Sequence, residues 1–168
     1  MCLEVALEMP KVYVASPMGF SEVTRPFMNE KVLPMLRGLG LEVIDPWSLT
    51  PQSEVDNALA IADPVKKEKA LKELRFRIGQ RNDAGIKAAD FLVANLDGQE
   101  MDSGTASEIG AAGAMGKPIF AWRNDFRCSG ELGAYVNLQV EYFIYVNGGT
   151  IVKSLDELVA VVKRFLAA

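Results

Sequence analysis

The 168-residue chain contains no histidine. That removes Ser-His and Cys-His nucleophile pairs and every His-based metal site. Acid–base chemistry must then come from carboxylates, Tyr, Lys, Cys or water. Cysteine is scarce: Cys2 and Cys128 are the two present, with no C-x-x-C. This argues against a disulfide scaffold and fits a reducing compartment. Long basic runs are missing, and the formal net charge is −4. Nucleic acid and anionic membrane surfaces are therefore poor general partners. No apolar run approaches the roughly 20 residues that a membrane span needs. The opening MCLEVALEMPK has neither a basic n-region nor a long apolar h-region, so no signal peptide and a cytoplasmic location are expected. Phosphate-cradling loops are absent as well: neither G-x-x-x-x-G-K-[ST] nor G-x-G-x-x-G occurs. Gly19 in SPMGFSE is a weak signal for any dinucleotide loop.

What remains is ordinary globular composition, 49% hydrophobic and 24% charged, enough to bury one sizeable core. One domain over 1–168 is expected, with residues 1–10 as an N-terminal extension. KVYVAS (11–16), LEVID (41–45), DFLVANL (90–96), KPIFAW (117–122) and GTIVK (149–153) read as strands. The third is apolar on both faces, as a buried parallel strand is. Between them run helical patterns. The first covers 21–40, with Pro34 predicting a kink or an early end. A short helix is expected around 53–61. A long one opens at Pro64 and runs to about 89, with Gly79 and Gly85 as weak points at which it could break into two. Ala/Gly-rich 103–116 and AYVNLQVEYFI (134–144) follow. The closing amphipathic helix starts at a Ser154-x-x-Glu157 box. Alternating β and α predicts an α/β, flavodoxin-like, doubly wound five-stranded parallel sheet of order 2-1-3-4-5. Sites in such sheets form at the carboxyl ends of the strands, near the switch point between strands one and three.

LDGQEMDSGTASEIGAAGAMGKPI (96–119) falls at that point. It holds two acids, Asp102 and Glu108, among small residues. Two explanations compete. Thr105-x-x-Glu108 matches a capping box, Asp102 or Ser103 could cap the same helix, and the small residues could serve close helix packing. Alternatively, the region around Gly104 leaves open space above the first turn, with Glu108 projecting over the strand ends. The helix N-terminus would then help to hold Glu108 ionised. A carboxylate facing a sugar-sized hollow can attack an anomeric carbon and form a covalent glycosyl-enzyme. Acids at 97, 100, 102 and 108 would repel phosphate.

KVYVASP, RND at 81–83, D-S-G-T-A-S-E-I-G at 102–110, GKPI at 116–119 and VNL at 136–138 occur in this order. Together they resemble the nucleoside 2-deoxyribosyltransferase family over roughly residues 11–166. The resemblance implies that Glu108 attacks C1′ of a deoxyribose and that Tyr13 hydrogen-bonds and orients Glu108. It implies that Asp83 protonates the leaving base and that Asp102 binds the 5′-hydroxyl end. It also implies that Asn137 reaches the same sugar end from a neighbouring subunit. Gly104 belongs to the substrate hollow. The implied reaction exchanges the nucleobase of 2′-deoxyribonucleosides with net retention, in nucleoside salvage, using no cofactor and no metal. It would require a homo-oligomer. Residues 48–78 are longer and more charged than their counterpart in short members and would form a lid or an interface. Two alternatives belong beside this one: hydrolysis of 2′-deoxynucleoside 5′-monophosphates, and a non-catalytic nucleotide-binding module. A carboxylate at 102 favours the free nucleoside, because it accepts from a 5′-hydroxyl and repels a dianionic phosphate.

Overall fold

The computed structural model describes residues 8–168; Cys2 and the start of the N-terminal extension lie outside the described residues. Five parallel strands form one sheet in the order β2-β1-β3-β4-β5. They are β1 (Lys11–Ala15), β2 (Glu42–Ile44), β3 (Phe91–Asn95), β4 (Ile119–Trp122) and β5 (Thr150–Val152). This is the expected α/β class and strand order. Central β3 is buried at every residue, whereas edge strands β2 and β5 are only partly covered.

Period-two alternation sorts the strand side chains onto two faces. Val12, Val14, Phe91 and Val93 meet Met28, Val32, Leu36, Leu158 and Val162 on one face. The covering segments there are α1 (Arg25–Phe27), α2 (Leu33–Arg37) and α7 (Leu155–Leu166). Phe91, Phe120 and Phe165 pack there with ring centroids 5.1–5.8 Å apart. Tyr13, Ala15, Leu92 and Ala94 occupy the other face with Ile86, Ile109, Ala112, Val140 and Ile144. That face is covered by α4 (Pro64–Ala88), α5 (Ser103–Ala114) and α6 (Leu138–Val146). Tyr13 is therefore placed on the α4/α5 side by the pleat alone.

Several local expectations are refined. Pro34 does not end its helix. A π-turn over Met28–Val32 precedes it and joins α1 to α2. Proline removes one N–H and crowds the carbonyl four residues back, and the widened turn accommodates both. Residues 48–78 form a helical hairpin of α3 (Gln52–Leu59) and the first part of α4. Glu54 bridges the pair by accepting from Arg81 at 2.7 and 3.2 Å.

Helix α4 is continuous through both weak points, Gly79 and Gly85. Asp63 caps it by accepting from Lys66 N at 2.8 Å. Gly85 is buried, and a Cβ there would meet Ile44 at 3.1 Å and the Tyr13 ring at 3.2 Å. Close approach to the sheet thus explains this glycine, and packing outweighs its helix-breaking tendency. Helix α6 begins at Leu138, four residues after the expected start, because Asn137 turns its side chain back to cap it, accepting from Gln139 N at 3.0 Å.

Candidate active site

The carboxyl ends of β1 and β2, the first turns of α5 and one face of α4 enclose a hollow of about 290 Å³. Its lining includes Ser16, Phe20, Trp47, Ile78, Asn82, Asp102, Gly104, Thr105 and Glu108. Each element contributes for a local reason. Asp102 is the N-cap of α5: its Oδ2 accepts from Thr105 N at 2.8 Å and from Thr105 Oγ1 at 3.1 Å. The capping-box reading of Thr105 and Glu108 is thereby overturned. Glu108 is released from any capping duty and instead accepts a 2.5 Å hydrogen bond from the Tyr13 hydroxyl. A Cβ at Gly104 would lie 3.0 Å from Asp102 Oδ2, so a bare residue leaves that carboxylate uncrowded. The small residues are not all for the hollow, however. Further along α5, Gly113 lies against Phe143, where a Cβ would approach to 2.5 Å.

The electrostatics differ from the expectation that the helix N-terminus holds Glu108 ionised. Glu108 is the sixth residue of α5, beyond the first turn where the helix dipole acts. Burial raises its carboxyl, the Tyr13 hydrogen bond lowers it and the Asp102 charge raises it, with the balance pushed up to about 7. Tyr13 is fully buried, and burial followed by the Glu108 charge moves its hydroxyl well above the ordinary tyrosine range. The phenol thus remains a donor to Glu108 at any ordinary pH.

One wall was not anticipated. Trp47 follows β2 and is fixed from two sides: its indole N–H donates to Ser16 O at 3.1 Å and its backbone N–H to Asp45 Oδ1 at 3.2 Å. Buried Asp45 has its carboxyl raised by desolvation, against the Trp47 N–H bond and the Arg37 charge. Phe20 packs edge-on to Trp47 with centroids 4.5 Å apart. Gly19 makes this possible, since a Cβ there would stand 2.2 Å from the indole. The loop is pinned by Arg25, which donates to Gly19 O at 2.7 and 3.0 Å, and by Thr24, which donates to Met18 O at 2.7 Å. The sequence signal was the aromatic residue just past each of the first two strands, once the 2-1-3 order is known.

Asp83 stands apart. It is exposed and accepts from Lys87 Nζ at 2.6 Å, one turn along α4. Its neighbour Asn82 lines the hollow instead, together with Ile78. Residues four apart share a helix face, whereas adjacent ones diverge by about 100°. Asn137 also lies away from Glu108. It borders a separate cleft of about 350 Å³ with Glu100, Ala106 and Glu131. There Glu131 fixes it, accepting from Asn137 Nδ2 at 3.2 Å and from Leu138 N at 3.1 Å. Tyr13, Asp102, Gly104 and Glu108 are thus brought together in one chain, and Asp83 and Asn137 are not. Among the described residues no group of three or more Cys, Asp or Glu side chains is placed to hold a metal ion. No described helix is long and apolar enough to cross a membrane.

Residues 12–153 match the family model for nucleoside 2-deoxyribosyltransferase. The chain belongs to that family. No protein of curated function matches it. Among solved structures, a conserved protein from Enterococcus faecalis V583 is 28% identical with a TM-score of 0.68, the alignment covering 94% of this chain and 99% of that one. A 2-desoxiribosyltransferase from Leishmania mexicana is 19% identical with a TM-score of 0.63, covering 92% and 97% of the two chains. A CMP N-glycosidase from Clostridium botulinum is 16% identical with a TM-score of 0.50, covering 90% and 97%. These last two likenesses establish the deoxyribosyltransferase fold and nothing about substrate.

Proposed function

We propose that this protein exchanges the nucleobase of 2′-deoxyribonucleosides through a covalent deoxyribosyl-Glu108 intermediate. The observation that supports the reading is the 2.5 Å Tyr13–Glu108 hydrogen bond, with Glu108 and Asp102 lining the same hollow. As the glycosidic bond breaks, its electron pair leaves with the base and positive charge develops at C1′ and O4′. The ionised Glu108 carboxylate bonds to C1′ with inversion. Attack by a second base inverts C1′ again, frees Glu108 and leaves the configuration retained. Tyr13 orients the carboxylate and favours its charged form. Asp102 keeps Oδ2 on the helix cap, which leaves Oδ1 to accept from the 5′-hydroxyl. A 5′-phosphate would meet that same carboxylate and be repelled. Water in place of the second base gives hydrolysis.

Asp83, which the resemblance makes the proton donor to the leaving base, is paired with Lys87 here and does not line the hollow. Asn137 would complete the sugar site from a second copy, which makes a homo-oligomer part of the proposal. Chromatography of 2′-deoxyinosine incubated with the protein, with and without adenine, tests the reading. New 2′-deoxyadenosine is the expected product. Release of hypoxanthine from 2′-deoxyinosine 5′-monophosphate alone would instead make the protein a nucleotide N-glycosidase.

A further inference from the structure

The amide of Asn82 is the one polar group on the α4 wall of the hollow, beside apolar Ile78 and the indole of Trp47. Its Oδ1 is buried and has no hydrogen-bond partner among the described residues. A buried acceptor without a donor is costly, so such an atom calls for an explanation. The neighbouring side chains supply none. The Trp47 N–H is already given to Ser16 O and the Thr105 hydroxyl to Asp102 Oδ2, and the Ser16 hydroxyl, whose oxygen accepts from Met18 N, makes no bond to it. Asp102 and Glu108 when ionised only accept. The hollow therefore has a surplus of acceptors and suits a ligand rich in N–H and O–H groups. On the sugar the 5′-hydroxyl is such a group, facing Asp102. At the aromatic end, between Trp47 and α4, such groups must come from the base.

Resting on the deoxyribosyl-transfer reading, we propose that Asn82 is a specificity-determining residue whose Oδ1 accepts a hydrogen bond from an exocyclic amino group of the nucleobase. The class selected is a 6-aminopurine or a 4-aminopyrimidine. The last side-chain torsion of asparagine is broad, so the amide can turn its oxygen from the packed helix side towards the hollow. Ile78, one turn away on the same face, supplies apolar contact to the ring beside that bond.

The test uses pairs of nucleosides that differ only by the amino group: 2′-deoxyadenosine against purine 2′-deoxyriboside, and 2′-deoxycytidine against the 4-unsubstituted pyrimidin-2-one 2′-deoxyriboside. The ratio of kcat/KM within a pair is compared between the wild type and its variants, so intrinsic leaving-group differences cancel. Asn82→Leu is expected to lower the ratio at least about tenfold, the size of one lost hydrogen bond to a buried partner. Asn82→Ala, a good helix former, is expected to do the same should the leucine variant fail to fold. Asn82→Asp, which keeps an acceptor, is expected to hold the ratio near the wild-type value. An equal loss on both members of a pair would mean that Asn82 only supports the fold, and would overturn the proposal. So would an unchanged ratio in a folded alanine variant. If the wild type turns over no nucleoside at all, the deoxyribosyl-transfer reading itself fails; turnover with an insensitive ratio sinks the role of Asn82 alone.

Discussion

Replacing Tyr13 by phenylalanine removes one hydroxyl and leaves the ring on the packed face of β1. That hydroxyl donates to Glu108 at 2.5 Å and stabilises the ionised carboxylate, which titrates at about 7 in the fold. A hydrogen bond to a charged group contributes about 1.5–3 kcal/mol. At 1.36 kcal/mol per unit, its loss raises the Glu108 pKa by about one to two units. The sign follows from the proposed mechanism. There Glu108 works ionised, so a higher pKa moves the acidic limb of the rate profile upward, from near 7 to about 8–9. At pH 7 about half of the wild type carries an ionised Glu108, and the variant carries about one-tenth to one-hundredth. The measurement is kcat/KM for base exchange between pH 5 and 10. Tyr13→Phe should fall furthest below the wild type under acidic conditions and recover towards it above about pH 9, with a pH-independent residue of loss from poorer orientation. An acidic limb that stays in place or moves downward would refute the reasoning.

Glu108→Ala should abolish exchange while the chain stays folded, and near-normal exchange would remove Glu108 from the mechanism. The folded-state pKa of Glu108 lies above its ordinary value of 4.5, so the folded protein binds the extra proton between 4.5 and about 7, and its stability falls as pH rises through that window. Glu108→Gln should therefore raise Tm at pH 8 by several degrees, roughly 2–4 °C per kcal/mol regained for a chain of this size, and leave it unchanged at pH 4; an equal gain at both would contradict the burial argument. Asp102→Ser keeps a good helix cap and should raise the preference for 5′-monophosphates over free nucleosides by at least about tenfold in competition assays; a constant ratio would mean the 5′ pocket lies elsewhere. Gly85→Val should destabilise by about 1–3 kcal/mol in urea and depress exchange by displacing Tyr13, whereas Gly79→Ala, where a Cβ meets nothing within 4 Å, should stabilise by up to about 1 kcal/mol. Mixing inactive Glu108→Ala and Asn137→Ala proteins should restore partial exchange if sites are shared between copies, and no restoration would place each site within one chain.

The sheet was legible because apolar strand runs alternate with helical patterns, and that alternation admits few topologies. Asp102, Gly104 and Glu108 stood out as acids among small residues at a strand end, but helix capping and close packing explained that pattern equally well until the motif order brought in the family resemblance, and Asp102 does cap α5. What escaped was decided by tertiary contact. Gly85 reads as a helix breaker until Tyr13 is seen lying against it. Asp83 and Asn82 are adjacent letters, yet the twist of α4 sends one into the hollow and the other to Lys87. The Thr105-x-x-Glu108 spacing fits a capping box, but Asp102 takes the cap first, and the carboxylate passes to a tyrosine 95 positions away. Trp47 carries no motif; only the neighbourhood of β1 and β2 makes it a wall.

Helix α4 is a single rod that touches the molecule at three heights. Arg77 and Arg81 hold Glu54 of α3, Ile78 and Asn82 face the hollow, and Gly85 rests on Tyr13. For protein engineering this means that the α4 wall of the hollow and the support of Tyr13, the partner of Glu108, are not separate modules. A change that shifts the α3 hairpin tilts both together. Broader base tolerance is therefore to be sought by exchanging side chains at 78 and 82 on a fixed axis, because moving the axis would loosen Tyr13 as well.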